Sequence, residues 1–115
     1  MKIIIDTKKD DWVPHPTVKN VFIKTLITKK EFGDESPTIF LVKVPKGAFV
    51  PKHTHADSED ILYILAGHAK MFVKGAGEFE ISEGMLIRVP RGIEHSMFDV
   101  SEDILVYDTF APAII

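Results

Sequence analysis

The strongest constraint on this chain is its punctuation. Runs of β-branched and aromatic residues come in short pieces closed by glycine, proline or polar turns, and no window holds a 3.6-residue apolar period of helical length. Residues 21–28 (VFIKTLIT) and 38–44 (TIFLVKV) are two such runs, and 29–37 between them is predicted as a loop. Residues 61–65 run up to Gly67, and 69–74 run up to Gly75-Ala76-Gly77. Phe79 and Ile81 then alternate with Glu78 and Glu80, the period of a strand with one wet face, before Gly84 closes the hairpin. The pattern continues through 85–89, a Pro90-Arg91-Gly92 turn, 94–100 and 104–110. A βαβ fold would need helices between its strands, whereas short strands at close spacing predict an all-β, antiparallel sandwich or barrel. The length of 115 residues suits one domain over 1–115, and 45% apolar residues suffice for a core without staples.

Cysteine is absent, which removes disulfides, thiolate nucleophiles and sulfur-ligated metals. Any metal must then be held by imidazole and carboxylate, and the histidines are His15, His53, His55, His68 and His95. The 14 basic residues against 17 acidic ones give a net charge of -3, with no basic surplus for phosphate contacts, so nucleic acid is not an expected partner. No apolar run approaches the ~20 residues that span a bilayer, and the start MKIIID is too short for a signal peptide. The expectation is a cytoplasmic protein with no membrane partner. Lysine-weighted charge with a single asparagine and no glutamine is similar to the composition of heat-adapted, thermophilic proteins.

His53-Thr54-His55 lies in an extended segment, where residues two apart point to the same side and both imidazoles can reach one ion. A carboxylate follows at Glu59 or Asp60. His95 comes after the Pro90-Arg91-Gly92 turn, which could bring its strand alongside. Three imidazoles and one carboxylate make a complete set for a borderline divalent metal. His15 and His68 stand outside the pattern and read as solvated side chains.

The spacing goes further. Gly47, five residues, His53, one, His55, four, Asp60, six, Gly67 resembles the first motif of the cupin superfamily, over 47–67. Gly84, five residues, Pro90, one, Gly92, two, His95 resembles the second, over 84–99. The resemblance implies a small cupin, an antiparallel double-stranded β-helix or jelly-roll barrel. It also implies one divalent transition metal ion (Mn, Fe, Co, Ni, Cu or Zn) on His53, His55, Asp60 and His95. The family's carboxylate is usually Glu. Counting back from Gly67 gives Asp60, while a shorter gap after His55 gives Glu59 as the alternative. Asp60 is preferred, because an insertion within one strand would turn every later side chain to the other face. Asp99 stands where the second motif ends in Asn, a position that is usually structural.

Strand parity extends the reading. Leu62 and Ile64 share the side of Asp60, Met97 and Asp99 share that of His95, and Ala69, Met71 and Val73 face inward while Lys70 and Lys74 face water. Tyr63, Met71, Arg91, Met97 and Tyr107 are the candidate substrate contacts. For function the resemblance implies a metal-dependent enzyme acting on a small sugar acid or keto/hydroxy acid, of isomerase, lyase or dioxygenase type. The alternative is a non-catalytic cupin that binds or senses a small ligand. The stretch YDTFAP at 107–112 is similar to the ending of small cupins that act on unsaturated uronates. Apolar segments at 1–5 and 111–115, together with the family's habit of pairing through its sheets, predict a homodimer.

Overall fold

The computed structural model describes residues 1–115. In chain order its elements are β1 (Val13–Pro14), β2 (Phe22–Ile27), α1 (Lys29–Phe32), β3 (Thr38–Val44), β4 (Val50–His53), β5 (Glu59–Val73), β6 (Gly77–Ser82), β7 (Leu86–Val89) and β8 (His95–Ala111). Every strand pairing is antiparallel. The hydrogen-bonded path runs β1-β2-β3-β8-β5-β6, with β4 added on β8 and β7 on β5.

Two long strands organise this path. The first half of β5 pairs with β7 and with the second half of β8, which carries β3 on its other side. The second half of β5 pairs with β6 and with the first half of β8, which carries β4. One continuous ladder is thereby folded into two facing sheets, the jelly-roll barrel expected from the sequence.

The predicted breaks at Gly67 and near residues 101–103 are bends inside β5 and β8. Register shifts between Ile64 and Lys70 mark the bend. Gly67 has φ +97, and a Cβ there would stand 2.1 Å from the Asp103 carbonyl oxygen and 2.8 Å from Ile104 Cα. The two strands can cross at this corner only because residue 67 has no side chain. The predicted loop at 29–37 contains the four-residue helix α1. Thr28 caps it by accepting the Glu31 N–H at 3.2 Å, and Gly33 ends it at φ +104. Four residues are too few for an apolar period to register.

Alternation delivers the core as expected from parity. Leu62, Ile64, Ala69, Met71 and Val73 from β5, and Met97, Ile104 and Val106 from β8, join one buried cluster with Val21, Val44, Ile81, Ile87, Val89 and Val100. Ile64 and Ile104 are fully enclosed, each stabilising the fold by about 1.5–3 kcal/mol. Asp99 departs from its expected side. Its φ of +47 interrupts the alternation, its side chain reaches water within 3.7 Å of Lys70 Nζ, and Val100 takes the inward place. Aspartate tolerates that backbone region better than most residues.

At one end, Thr38 seats the C-terminal segment. Its buried Oγ1 accepts the N–H groups of Ile114 and Ile115, both at 3.1 Å, and donates to the Ile115 carbonyl at 2.8 Å. No helix is long and apolar enough to cross a membrane.

Candidate metal centre

The end of β4, the start of β5 and the start of β8 meet between the sheets, and each brings one part of a cluster. His53 and His95 are cross-strand partners, with ring centroids 4.2 Å apart. Asp60 lies opposite Phe110 on β8. His55, just past β4, packs edge-on against the Phe110 ring at 4.9 Å. Ligand atoms from His53, His55, Asp60 and His95 all lie within 4.8 Å of one another, so the four could hold a metal ion.

Backbone carbonyls aim two of the rings. His53 Nδ1–H donates to the Pro51 carbonyl at 2.7 Å and His95 Nδ1–H to the Ile93 carbonyl at 2.9 Å, which turns both Nε2 atoms toward the cluster. His95 Nε2 is 3.1 Å and His55 Nε2 3.6 Å from Asp60 Oδ2.

Charge follows from these contacts. Burial holds His53 and His55 below the usual imidazole range, which keeps them neutral. Burial also pulls on His95, but the hydrogen bond to Asp60, the Ile93 carbonyl and the Asp60 charge outweigh it and raise this histidine. For Asp60, burial opposes ionisation, yet hydrogen bonds from Asp108 and His95 and the attraction of the His95 and then the His55 imidazole hold it below the usual carboxylate range. Asp108 behaves oppositely. Burial first, and then the Asp60 charge and hydrogen bond, push it well above that range, so the protonated acid is favoured. Oδ1 of Asp60 and Oδ1 of Asp108 are both buried with no hydrogen-bond partner among the groups whose hydrogens are fixed. A proton on Asp108 donated to Asp60 satisfies the pair. The donor set fits a divalent ion: two neutral imidazoles, a third whose proton an ion would displace, and an ionised carboxylate.

The cluster opens onto a cavity of about 640 Å³, within the size range of small-molecule sites. Leu62, Met71, Met97 and Val106 line it with Phe40 and Phe110, so its walls are largely apolar. Of the residues singled out from the sequence as candidate substrate contacts, Met71 and Met97 line this cavity, and Tyr63, Tyr107 and Arg91 lie outside it. The two tyrosines are cross-strand partners on the outer face of the barrel, 41% and 39% exposed, and Arg91 lies in an exposed turn. Parity places them there, since Leu62 and Ile64, or Val106 and Asp108, take the inward positions beside each tyrosine. Glu59 also points outward, held by Arg88 through bonds of 2.9 and 2.6 Å.

Among the cavity residues that sequence reasoning did not assign to the site are Asp108, Phe110 and His15. Asp108 and Phe110 continue the inward alternation of Val106, which was signal enough to find them. His15 also lines the cavity, and a lone histidine before a proline carried no such signal.

The fold and the cluster define a small β-barrel with a histidine and carboxylate cup between its sheets. Residues 40–110 match the Cupin domain family, and the chain belongs to it. An uncharacterized protein of Methanocaldococcus jannaschii is 28% identical over 97 residues, covering 84% of this chain and 77% of that protein. KdgF from Halomonas sp. has a similar structure, with a TM-score of 0.81 at 20% identity, covering 97% of this chain and 94% of that one. A predicted oxalate decarboxylase from Thermotoga maritima gives a TM-score of 0.82 at 18% identity, covering 94% and 97%. At these identities the likeness is one of fold.

Proposed function

We propose that this cupin is a metal-dependent enzyme acting on a small sugar acid or keto/hydroxy acid, by isomerase, lyase or dioxygenase chemistry. The observation that carries the reading is the set of four ligand atoms within 4.8 Å at the wall of a cavity large enough for such a molecule. His53, His55, Asp60 and His95 would hold a divalent transition ion, which when bound would supply Lewis acidity to substrate oxygens. The chain does the rest. The Pro51 and Ile93 carbonyls keep two imidazoles aimed, and Asp108 holds a proton against Asp60. Met71, Met97, Phe40 and Phe110 keep water from the carbon skeleton of the ligand.

The test is metal content in protein purified without chelators, followed by turnover on unsaturated uronates and short keto and hydroxy acids. Wild type should carry an ion that His95→Ala loses. No ion in wild type, or equal metal in both, would refute the reading. A second reading, a cupin that binds or senses a small ligand without turnover, is favoured by the scarcity of acid–base groups in the apolar walls. A ligand bound tightly by the metal-loaded protein and recovered unaltered would decide for it.

We also propose a homodimer. Leu86, Tyr63 and Tyr107 are neighbours across β7, β5 and β8 and leave an exposed apolar row on the outer face, with Leu65 beside it. A monomeric mass by light scattering at micromolar concentration would rule it out.

A further inference from the structure

The cavity holds one histidine that the cluster does not use. His15 follows β1 and lines the same space as His53, His55 and His95. Its backbone is fixed, because Val13 and Pro14 pair with Ile23 and Phe22, and the His15 N–H donates to the Val21 carbonyl at 2.8 Å. Pro16 then restricts the turn that follows.

The ring is fixed as well. Nδ1 accepts the backbone N–H groups of Thr17 at 3.1 Å and Val18 at 3.0 Å, with Thr17 Oγ1 at 3.4 Å. Two N–H donors directed at one nitrogen leave no room for a proton there, so in the neutral ring the hydrogen sits on Nε2. This is the reverse of His53 and His95, whose hydrogens sit on Nδ1. No protein acceptor takes the Nε2–H. Burial first, and then the neighbouring His53 imidazole, lower the proton affinity of His15, and a neutral ring in this tautomer carries its N–H at Nε2.

A donor needs an acceptor on the ligand. The cluster asks for the same thing at its own end, since one carboxylate offsets only half the charge of a divalent ion and an anionic oxygen completes the balance. The cavity that both face is otherwise walled largely by apolar side chains. We propose that His15 is a ligand-binding residue whose Nε2–H donates to one oxygen of a two-ended oxyacid while another of its oxygens is held at the His53, His55, Asp60 and His95 cluster. This rests on the metal-centre reading above, and it adds the requirement that the ligand carry oxygens at both ends of a short carbon chain.

The informative variant is His15→Asn. Asparagine keeps an acceptor close to the position of Nδ1 for the Thr17 and Val18 N–H groups and lacks the distal N–H, whereas His15→Leu removes both. Calorimetric titration of the metal-loaded proteins with malonate, a two-ended probe, and acetate, a one-ended control, separates the roles. His15→Asn should keep wild-type metal content and acetate affinity and lose malonate affinity about tenfold, the worth of one such hydrogen bond. In ¹⁵N spectra of wild type, the His15 ring should show the Nε2–H tautomer, and its Nε2 resonance should move with malonate and not with acetate. Equal malonate affinity in wild type and His15→Asn at full metal content overturns the proposal alone, as does an Nδ1–H tautomer or a metal-loaded wild type that binds no malonate. A wild type that takes up no metal overturns the centre and the proposal together.

Discussion

Asp60 and Glu59 are neighbours with opposite fates. Strand alternation sends one carboxylate into the cavity among three imidazoles and the other out to the Arg88 guanidinium. The choice between them was legible, because Gly67 fixes the count along β5. The same alternation also held the outward placing of Tyr63 and Tyr107 and the inward placing of Asp108, which aromatic character and motif positions obscured. Asp60→Asn should therefore abolish metal retention while Glu59→Gln leaves it at the wild-type level, as measured by elemental analysis after gel filtration. A second prediction concerns pH. His95 is held above the usual imidazole range, so a proton competes with the ion for its Nε2, while His53 and His55 are already neutral. Metal affinity should weaken as pH falls through the raised His95 range and recover as pH rises, in competition titrations run upward from the ordinary imidazole value of 6.5. In the metal-free protein the histidines oppose one another. Raised His95 contributes stability that is full below its unfolded value of 6.5 and lost as pH rises through the folded one, whereas lowered His15, His53 and His55 contribute stability that is lost as pH falls below 6.5, so the His95 share is read as the difference in urea unfolding between wild type and His95→Gln.

At the scale of elements, β5 and β8 explain what the turn signals hid. A glycine inside a strand pattern reads as an end, yet Gly67 is where two strands cross at a contact that only a backbone can make. Gly67→Ala should cost about 2–4 kcal/mol in urea unfolding, combining backbone strain with the collision on Asp103. Gly84 offers the control. Its φ is similar at +88, but a Cβ there meets nothing within 4 Å, so Gly84→Ala should cost only about 1 kcal/mol. Helix α1 was invisible for a different reason: its Thr28 cap and Gly33 stop were present, with no periodic segment between them.

Over the whole molecule, the all-β architecture was legible from punctuation alone. Which strand pairs with which was not, since pairing joins residues as distant as Thr38 and Phe110. The cluster ties β4, β5 and β8 together, so an ion bound there stabilises all three at once. At a metal concentration 100 times the dissociation constant, the gain of about 2.7 kcal/mol should raise the melting temperature by roughly 10 °C. Calorimetric scans of Asp60→Asn should show no such rise. The shared strands also govern how the chain is born. Because β8 supplies a partner to β3, β4 and β5, neither sheet can close until residues 95–111 have been translated. The apolar faces of the earlier strands must wait, uncovered, until that last strand emerges.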